Sequence, residues 1–326
     1  MGSTVAEAIA RFFLRGKRTG ELTQPYNAYN APVGNVINAE TVFVGCSKRS
    51  AENAGAPAPH SVEAAIMLLD RRHHLDVLHA RIKRCIARGV HRRLLVVVAG
   101  TQKDLPEVFV TRCGNIELKK SYDLQGGWRF LGQFHWPKEA CDISALLDTI
   151  IVDLDMPTLT SIAELQRYLE NLKISVCFSH YIEETDLDAS SKLVYEWIDY
   201  FASAWPSPRS GRLVVAFLCI ETEPAGSSRA NGLLTRIADQ YSSDDCPILV
   251  LPPLEVIVRN DVREWERVVR QSVGEAWANK LQLDVGGIFE KNLEWRFEDL
   301  SRELRNVMRL HAEAMSVNAT TEGHQK

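Results

Sequence analysis

No two of the seven cysteines form a C-x-x-C pair; they lie scattered at positions 46, 85, 113, 141, 177, 219 and 246. An odd number without paired spacing argues against a disulfide-framed secreted domain and for a reducing compartment. Cys177 and Cys219 sit inside apolar runs, where a cysteine usually serves as a small buried hydrophobe. No window approaches the roughly 18 to 20 uninterrupted apolar residues of a membrane span. The apolar patch at Phe12, Phe13 and Leu14 has Glu7 ahead of it and no small-residue cleavage site behind it, unlike a secretory leader. A net charge of −4 gives no overall pull toward nucleic acid. The expectation is a cytoplasmic protein without a membrane span.

A phosphate-binding loop is also incomplete. Arg92–Lys103 reads RRLLVVVAGTQK, and Leu94–Ala99 is apolar on both faces, as suits a central parallel strand covered by helices on each side. In nucleotide-binding folds phosphates sit at the turn after such a strand, held by backbone N–H groups of a glycine-rich loop, a lysine beside the second glycine and a Ser/Thr hydroxyl for magnesium. Here Gly100 is followed by Thr101, Gln102, Lys103, Asp104, Leu105 and Pro106, so the second glycine and the hydroxyl after the lysine are missing. A working NTPase also needs a second strand ending in an acid. The candidate strand, Ile174–Ser179, runs into His180, and Glu183 and Glu184 lie beyond it. Ile150–Asp153 has the letters of such a strand but continues a helical period, with Asp153 exposed or capping. Gly100, Thr101, Lys103 and Asp104 therefore read as a vestigial nucleotide site.

The 326 residues, 45% of them apolar, suffice for one large α/β domain and something smaller. Six stretches emerge: an amphipathic helix in residues 1–19; a connector rich in Asn, Ala, Pro and Gly at 20–60 with a short β segment; a basic amphipathic helix at 61–89; an α/β domain at 90–285; a C-terminal helix at 286–316; and a disordered tail at 317–326. Phe12, Phe13, Val42, Phe43 and Val44 are candidate partner-binding residues, on an apolar helix face and an unpaired strand. In the long helix, Leu68, Leu75, Leu78, Ile82 and Ile86 form an apolar stripe. Arg71, Arg72, His73, His74, Arg81, Lys83, Arg84 and Arg88 read as its solvated basic face, without the interleaved aromatics that nucleic-acid binding calls for. His73, His74 and His79 lack carboxylate or cysteine companions for a metal site.

Strands and helices alternate after Leu94. Strands are expected at Leu94–Ala99, Trp128–Trp136, Ile174–Ser179, Leu213–Ile220 and Ile248–Leu251. Helices are expected at Leu105–Cys113, Ile143–Leu154, Ser161–Leu172, Leu187–Ala204, Gly232–Tyr241, Asp261–Gln271 and Phe289–Met315. This order implies an α/β fold, a mainly parallel sheet with helices on both faces and a degenerate P-loop NTPase-like core, preceded by a helical and irregular N-terminal segment. Cys177 and His180 fall on opposite strand faces, and no Cys–His or Ser–His–Asp arrangement is assembled.

The stretch from Arg93 to Gln271 resembles the inactive STAND domains, degenerate relatives of signal-transducing P-loop NTPases found in bacterial conflict and defence systems. LLVVVAGTQKDLPEVFVTRC, WRFLGQFHWP, ISVCFSH and LVVAFLCIE carry the resemblance, together with Leu251–Val256 leading into Asp261–Trp265. It implies a non-enzymatic adaptor, without cofactor or metal, that recruits or controls an effector protein such as a protease or nuclease. Homo-oligomerisation is a further expectation; nucleic acid is not an expected partner. A nucleotide-dependent switch using Lys103, Asp104 and Arg209 or Arg212 is the alternative, and a nucleic-acid sensor acting through the basic helix is the second.

Overall fold

The computed structural model describes Leu69, residues 71–88 and residues 92–307, apart from 123–126, 138–141, 157–158, 210, 223–227, 242, 244, 264 and 267–274. Phe12, Phe13, Val42, Phe43 and Val44 lie outside the described residues. The chain divides into two compact units, Met67–Trp265 with Asp284–Leu304, and Met1–Ile66 with Glu266–Leu283 and Arg305–Lys326. In the second unit the described residues are Glu266, 275–283 and 305–307, all helical. The first unit carries the sheet.

Its first element is α1 (Arg72–Arg88), whose Leu75, Leu78 and Ile82 are buried. The strand β1 (Arg93–Thr101) is buried along its whole length, as an apolar run with both faces covered should be. Next come α2 (Pro106–Arg112), a wide turn at Cys113–Glu117, and α3 (Leu118–Tyr122). The helix expected to end at Cys113 thus continues to Tyr122. Then follow β2 (Trp128–Phe134), α4 (Ile143–Leu154), α5 (Ile162–Glu170), β3 (Ser175–Ile182), α6 (Leu187–Ser203), β4 (Val214–Thr222), α7 (Ser228–Gln240) and β5 (Ile248–Val250). Asp142 and Ser161 cap α4 and α5, accepting from the backbone N–H of Ala145 and Glu164.

The five strands form one parallel sheet in the order β2-β3-β4-β1-β5. Helices α1 to α3 cover one face, where Leu78, Ile82 and Phe109 meet Leu94, Val96 and Val98. Helices α4 to α7 cover the other, where Leu146, Trp197, Phe201 and Ile237 meet Val97 and Leu218. The helices after β1 and those after β4 pack on opposite faces, as right-handed crossovers running in opposite directions from the centre of the sheet require. The crevice at their carboxyl ends is where an open α/β sheet offers its binding site. β2 is an edge strand, with a register shift between Phe130 and Gln133 and a φ of 104° at Gly132, a conformation that suits glycine.

Three expectations are corrected by this packing. Arg71, His74 and Arg81 are buried instead of solvated. Arg81 reaches from α1 to donate to the carbonyls of Ser243, Cys246 and Ile248 at 2.8, 3.0 and 2.8 Å, fastening the helix to the entry of β5. The helix expected over Phe289–Met315 is interrupted. After α8 (Glu275–Lys291) the chain forms β7 (Glu294–Trp295), antiparallel to β6 (Ile257–Val258), and resumes as α9 at 297–307. Asp153 is the third. Its side chain is only 8% exposed and accepts from the backbone N–H of His135 at 2.6 Å, pinning the chain just beyond β2.

His180 is fully buried on β3 among the rings of Phe134, Trp136, Phe178 and Trp197, whose centroids lie 5.6 to 6.1 Å away. Burial pushes its imidazole down to about 4, against a weaker pull from the backbone of Phe134 and His135. The unfolded chain takes up a proton near pH 6.5 that the folded one refuses, so this site's stability is intact above that pH and drains as pH falls toward 4. The loss should reach about 3 kcal/mol, and His180→Phe should abolish it in chemical denaturation followed across that range.

Candidate functional site

The turn at the carboxyl end of β1 is built by close packing. A Cβ on Gly100 would come 3.1 Å from Leu254 Cβ and 3.3 Å from Asp104 Cβ, and the Leu254 N–H donates to the Ala99 carbonyl at 2.7 Å. Glycine is kept here by the segment that crosses the strand end. Thr101 is extended, Gln102–Asp104 make one 3-10 turn, and Leu105 takes the left-handed conformation with φ 48° and ψ 64° before Pro106 opens α2.

Counted from Gly100, the phosphate-loop spacing G-x-x-x-x-G-K-[ST] places its second glycine at Leu105, its lysine at Pro106 and its hydroxyl at Glu107. The loop therefore keeps the length and the left-handed turn of the motif, at a cost of about 1 kcal/mol or more for a branched residue in that conformation. Its chemistry is replaced at the three positions that follow. Pro106 has no N–H to offer, and Glu107 puts an acid where a magnesium-binding hydroxyl would stand. Lys103 is not part of this cradle; it is half-exposed and pairs with Asp299 at 3.1 Å.

Asp104 fills the turn instead. It is 1% exposed, and its Oδ2 accepts from the Thr101 N–H at 3.1 Å, the Thr101 hydroxyl at 2.7 Å and Arg296 Nη1 at 2.8 Å. Arg71 Nη2 lies 3.7 Å from Oδ1 and donates to the Asp104 carbonyl at 3.2 Å, while Nη1 donates to the Glu255 carbonyl at 2.8 Å. The Arg71 guanidinium also lies over the Phe297 ring. Burial lowers Arg71 to about 10 despite the opposing pull of Asp104, which leaves it charged at neutral pH. A buried carboxylate persists only with such partners.

Beside this cluster the carboxyl edge is acidic. Gly100 pairs with Glu221 and Thr101 with Thr222. The Tyr181 hydroxyl donates to Glu221. Burial raises Glu107 to about 7, and the charge of Glu221 adds to the rise. β3 runs to Ile182, three residues past Ser179, so Glu183 lies just beyond the level of Ile220 and is exposed.

Other candidates are not brought here. Arg209 pairs with Glu170 at 2.6 Å, and both Arg209 and Arg212 precede β4, whose start lies beside Arg93. They stand at the amino edge, a strand length of roughly 27 Å from the turn at about 3.3 Å per residue. A phosphate site combining them with Lys103 and Asp104 does not assemble. His74 Nε2 contacts the Pro253 carbonyl and His79 Nδ1 the Tyr122 hydroxyl. Among the described residues no group of three His, Cys, Asp or Glu side chains could hold a metal. Cys113, Cys177 and Cys219 are buried thiols whose ionisation burial raises far above the ordinary range. Where the phosphate-loop spacing calls for a lysine and a hydroxyl this turn has proline and glutamate, and the Asp104 carboxylate takes the N–H and hydroxyl of Thr101. Counting the motif spacing from Gly100 would have found Leu105, Pro106 and Glu107 in the sequence; nothing local marks Arg71 or Arg296.

The five-stranded parallel sheet with helices on both faces and its first strand between β4 and β5 is an α/β, P-loop NTPase-like fold. Among the described residues no helix is long and apolar enough to cross a membrane. No family model and no curated protein matches the chain. Solved structures similar to it include the Aeropyrum pernix ORC2 protein in its ADP form, at 11% identity over 73% of this chain and 67% of that one, with a TM-score of 0.41. Drosophila ORC bound to GC-rich DNA and Cdc6 is similar at 9% identity over 91% of this chain and 45% of that one, with a TM-score of 0.41. Such likenesses carry no functional inference, and the fold assignment rests on strand order and crossovers.

Glu107 binds its proton more tightly in the folded chain than the ordinary value of 4.5 allows, so its contribution is present below that pH and is lost as pH rises toward 7. Partial solvent contact holds the effect to about 2 kcal/mol. This slope opposes that of His180 between pH 4.5 and 6.5. Glu107→Gln should therefore raise stability at pH 8 and unmask a steeper acid loss, read from urea midpoints.

Proposed function

We propose that the chain is a non-enzymatic adaptor or regulatory scaffold of the inactive STAND kind, acting in the cytoplasm of a bacterial defence or signalling system and controlling an effector protein of the protease or nuclease class. One observation carries this reading: the phosphate turn retains its geometry but seats the Asp104 carboxylate, with Pro106 and Glu107 where catalysis needs lysine and a hydroxyl. In such a turn the N–H and hydroxyl of Thr101 and the guanidinium of Arg296 are already taken by the Asp104 carboxylate. The sequence resemblance over Arg93–Gln271 supplies the adaptor role and the effector class. Phe12, Phe13, Val42, Phe43 and Val44 are the proposed contacts with that partner, and homo-oligomerisation is compatible with them.

The nucleotide-switch reading loses support because Arg209 and Arg212 stand at the opposite edge of the sheet from Lys103 and Asp104. The nucleic-acid reading loses support because Arg71 and Arg81 spend their charge inside the fold. In calorimetric titration with ATP, ADP and GTP plus magnesium, the protein should show no binding up to millimolar nucleotide. Micromolar affinity that disappears in Lys103→Ala would overturn the scaffold reading.

A further inference from the structure

The turn after β1 retains an oxyanion site and fills it from within. We propose that Asp104 is a built-in oxyanion, an intramolecular ligand whose carboxylate holds residues 294–304 against the β1 turn with no bound nucleotide. The inference rests on the reading that the turn takes no nucleotide, and it adds what occupies the site and what that occupancy controls.

Three kinds of donor converge on one carboxylate: a backbone N–H and a hydroxyl from Thr101, a guanidinium from Arg296, and a second guanidinium from Arg71. This is the donor set that recognises phosphate, sulfate or a carboxylate, with two cations set against one anion. Asp104 satisfies it through Oδ2, while its buried Oδ1 accepts no hydrogen bond. The side chain lines a cavity of about 10 Å³ with Leu69, Arg71, Phe109, Arg112 and Phe297, which has room for one water. A free oxyanion has no space while the carboxylate is in place.

The segment that closes over the turn is held by the pairing of β7 with β6, by the burial of Phe297, Leu300 and Leu304, and by charged contacts to the turn. Arg296 follows β7, and Phe297 lies under Arg71, so both contacts run back to the Asp104 cluster. The Lys103–Asp299 pair is solvent-exposed on the lysine side and adds little. A nucleotide-dependent protein would close this segment by binding ligand. Here the anion that this segment meets is supplied by the loop itself.

The test is chemical rescue. Asp104→Ala removes the carboxylate and leaves the donors unpaired, so its melting temperature should fall. Inorganic phosphate, sulfate or formate should restore several degrees beyond the effect of sodium chloride at matched ionic strength, and the wild type should show no such excess. Equal responses of variant and wild type to these anions overturn the proposal. Should Asp104→Ala fail to fold, Arg296→Gln tests the same contact at a partly exposed residue. Hydrogen exchange at 294–304 should then rise by about tenfold or more while β4 amides keep their protection, and unchanged exchange at 294–304 overturns the proposal. Nucleotide binding by the wild type would defeat the adaptor reading, whereas a missing anion rescue defeats the clasp alone.

Discussion

A carboxylate buried at the end of a central strand must be met by donors, and in this protein that requirement organises the carboxyl edge of the sheet. Asp104 draws in Arg71 from just ahead of α1, Arg296 from beyond β7, and the N–H and hydroxyl of its own turn. Through Arg71 the same cluster reaches the Glu255 carbonyl in the segment that leaves β5. One anion thus joins four parts of the chain that are remote in sequence. Withdrawing the carboxylate leaves two guanidiniums without their shared anion, which costs far more than losing a surface pair.

The two ends of the sheet differ in charge. At the amino edge lie Arg92, Arg93, Arg209 and Arg212, with Arg92 donating to the Gly211 carbonyl and Arg93 to that of Ala202. At the carboxyl edge lie Asp104, Glu107, Glu183 and Glu221. A nucleotide site needs positive potential at the carboxyl edge, where strand ends and crossovers leave the crevice open. This sheet places acids there, and two of them are linked, since the charge of Glu221 helps keep the Glu107 carboxyl protonated and Tyr181 donates to Glu221. At the turn itself the acid is met by the guanidiniums of Arg71 and Arg296.

The elements legible in sequence were those whose burial is recorded locally. Leu94–Ala99 reads as a covered parallel strand because six apolar residues in succession need cover on both faces. The periodicity of Ile143–Leu154 outweighed the strand-like letters Ile150–Asp153, and that segment is helix α4. Opposite faces for Cys177 and His180 followed from a period of two, and they join different core layers. Local pattern failed where a charged residue is paid for from afar. Arg71 and Arg81 look like members of a solvated basic face until carbonyls from the entry and exit of β5 arrive to receive them. Asp104 looks like a polar turn residue, since the guanidinium that neutralises it comes from 192 positions away.

The sequence by itself determined the α/β alternation, the central strand and the presence of proline and glutamate where the phosphate-loop spacing calls for lysine and a hydroxyl, because each of these is written in residue type and short-range spacing. Only the tertiary structure decided the strand order, the interruption of the C-terminal helix by β7, the left-handed Leu105 and the role of Asp104. The physical reason is that a buried charge is stable or ruinous according to partners brought to it by the fold, and those partners leave no mark on the residues beside it.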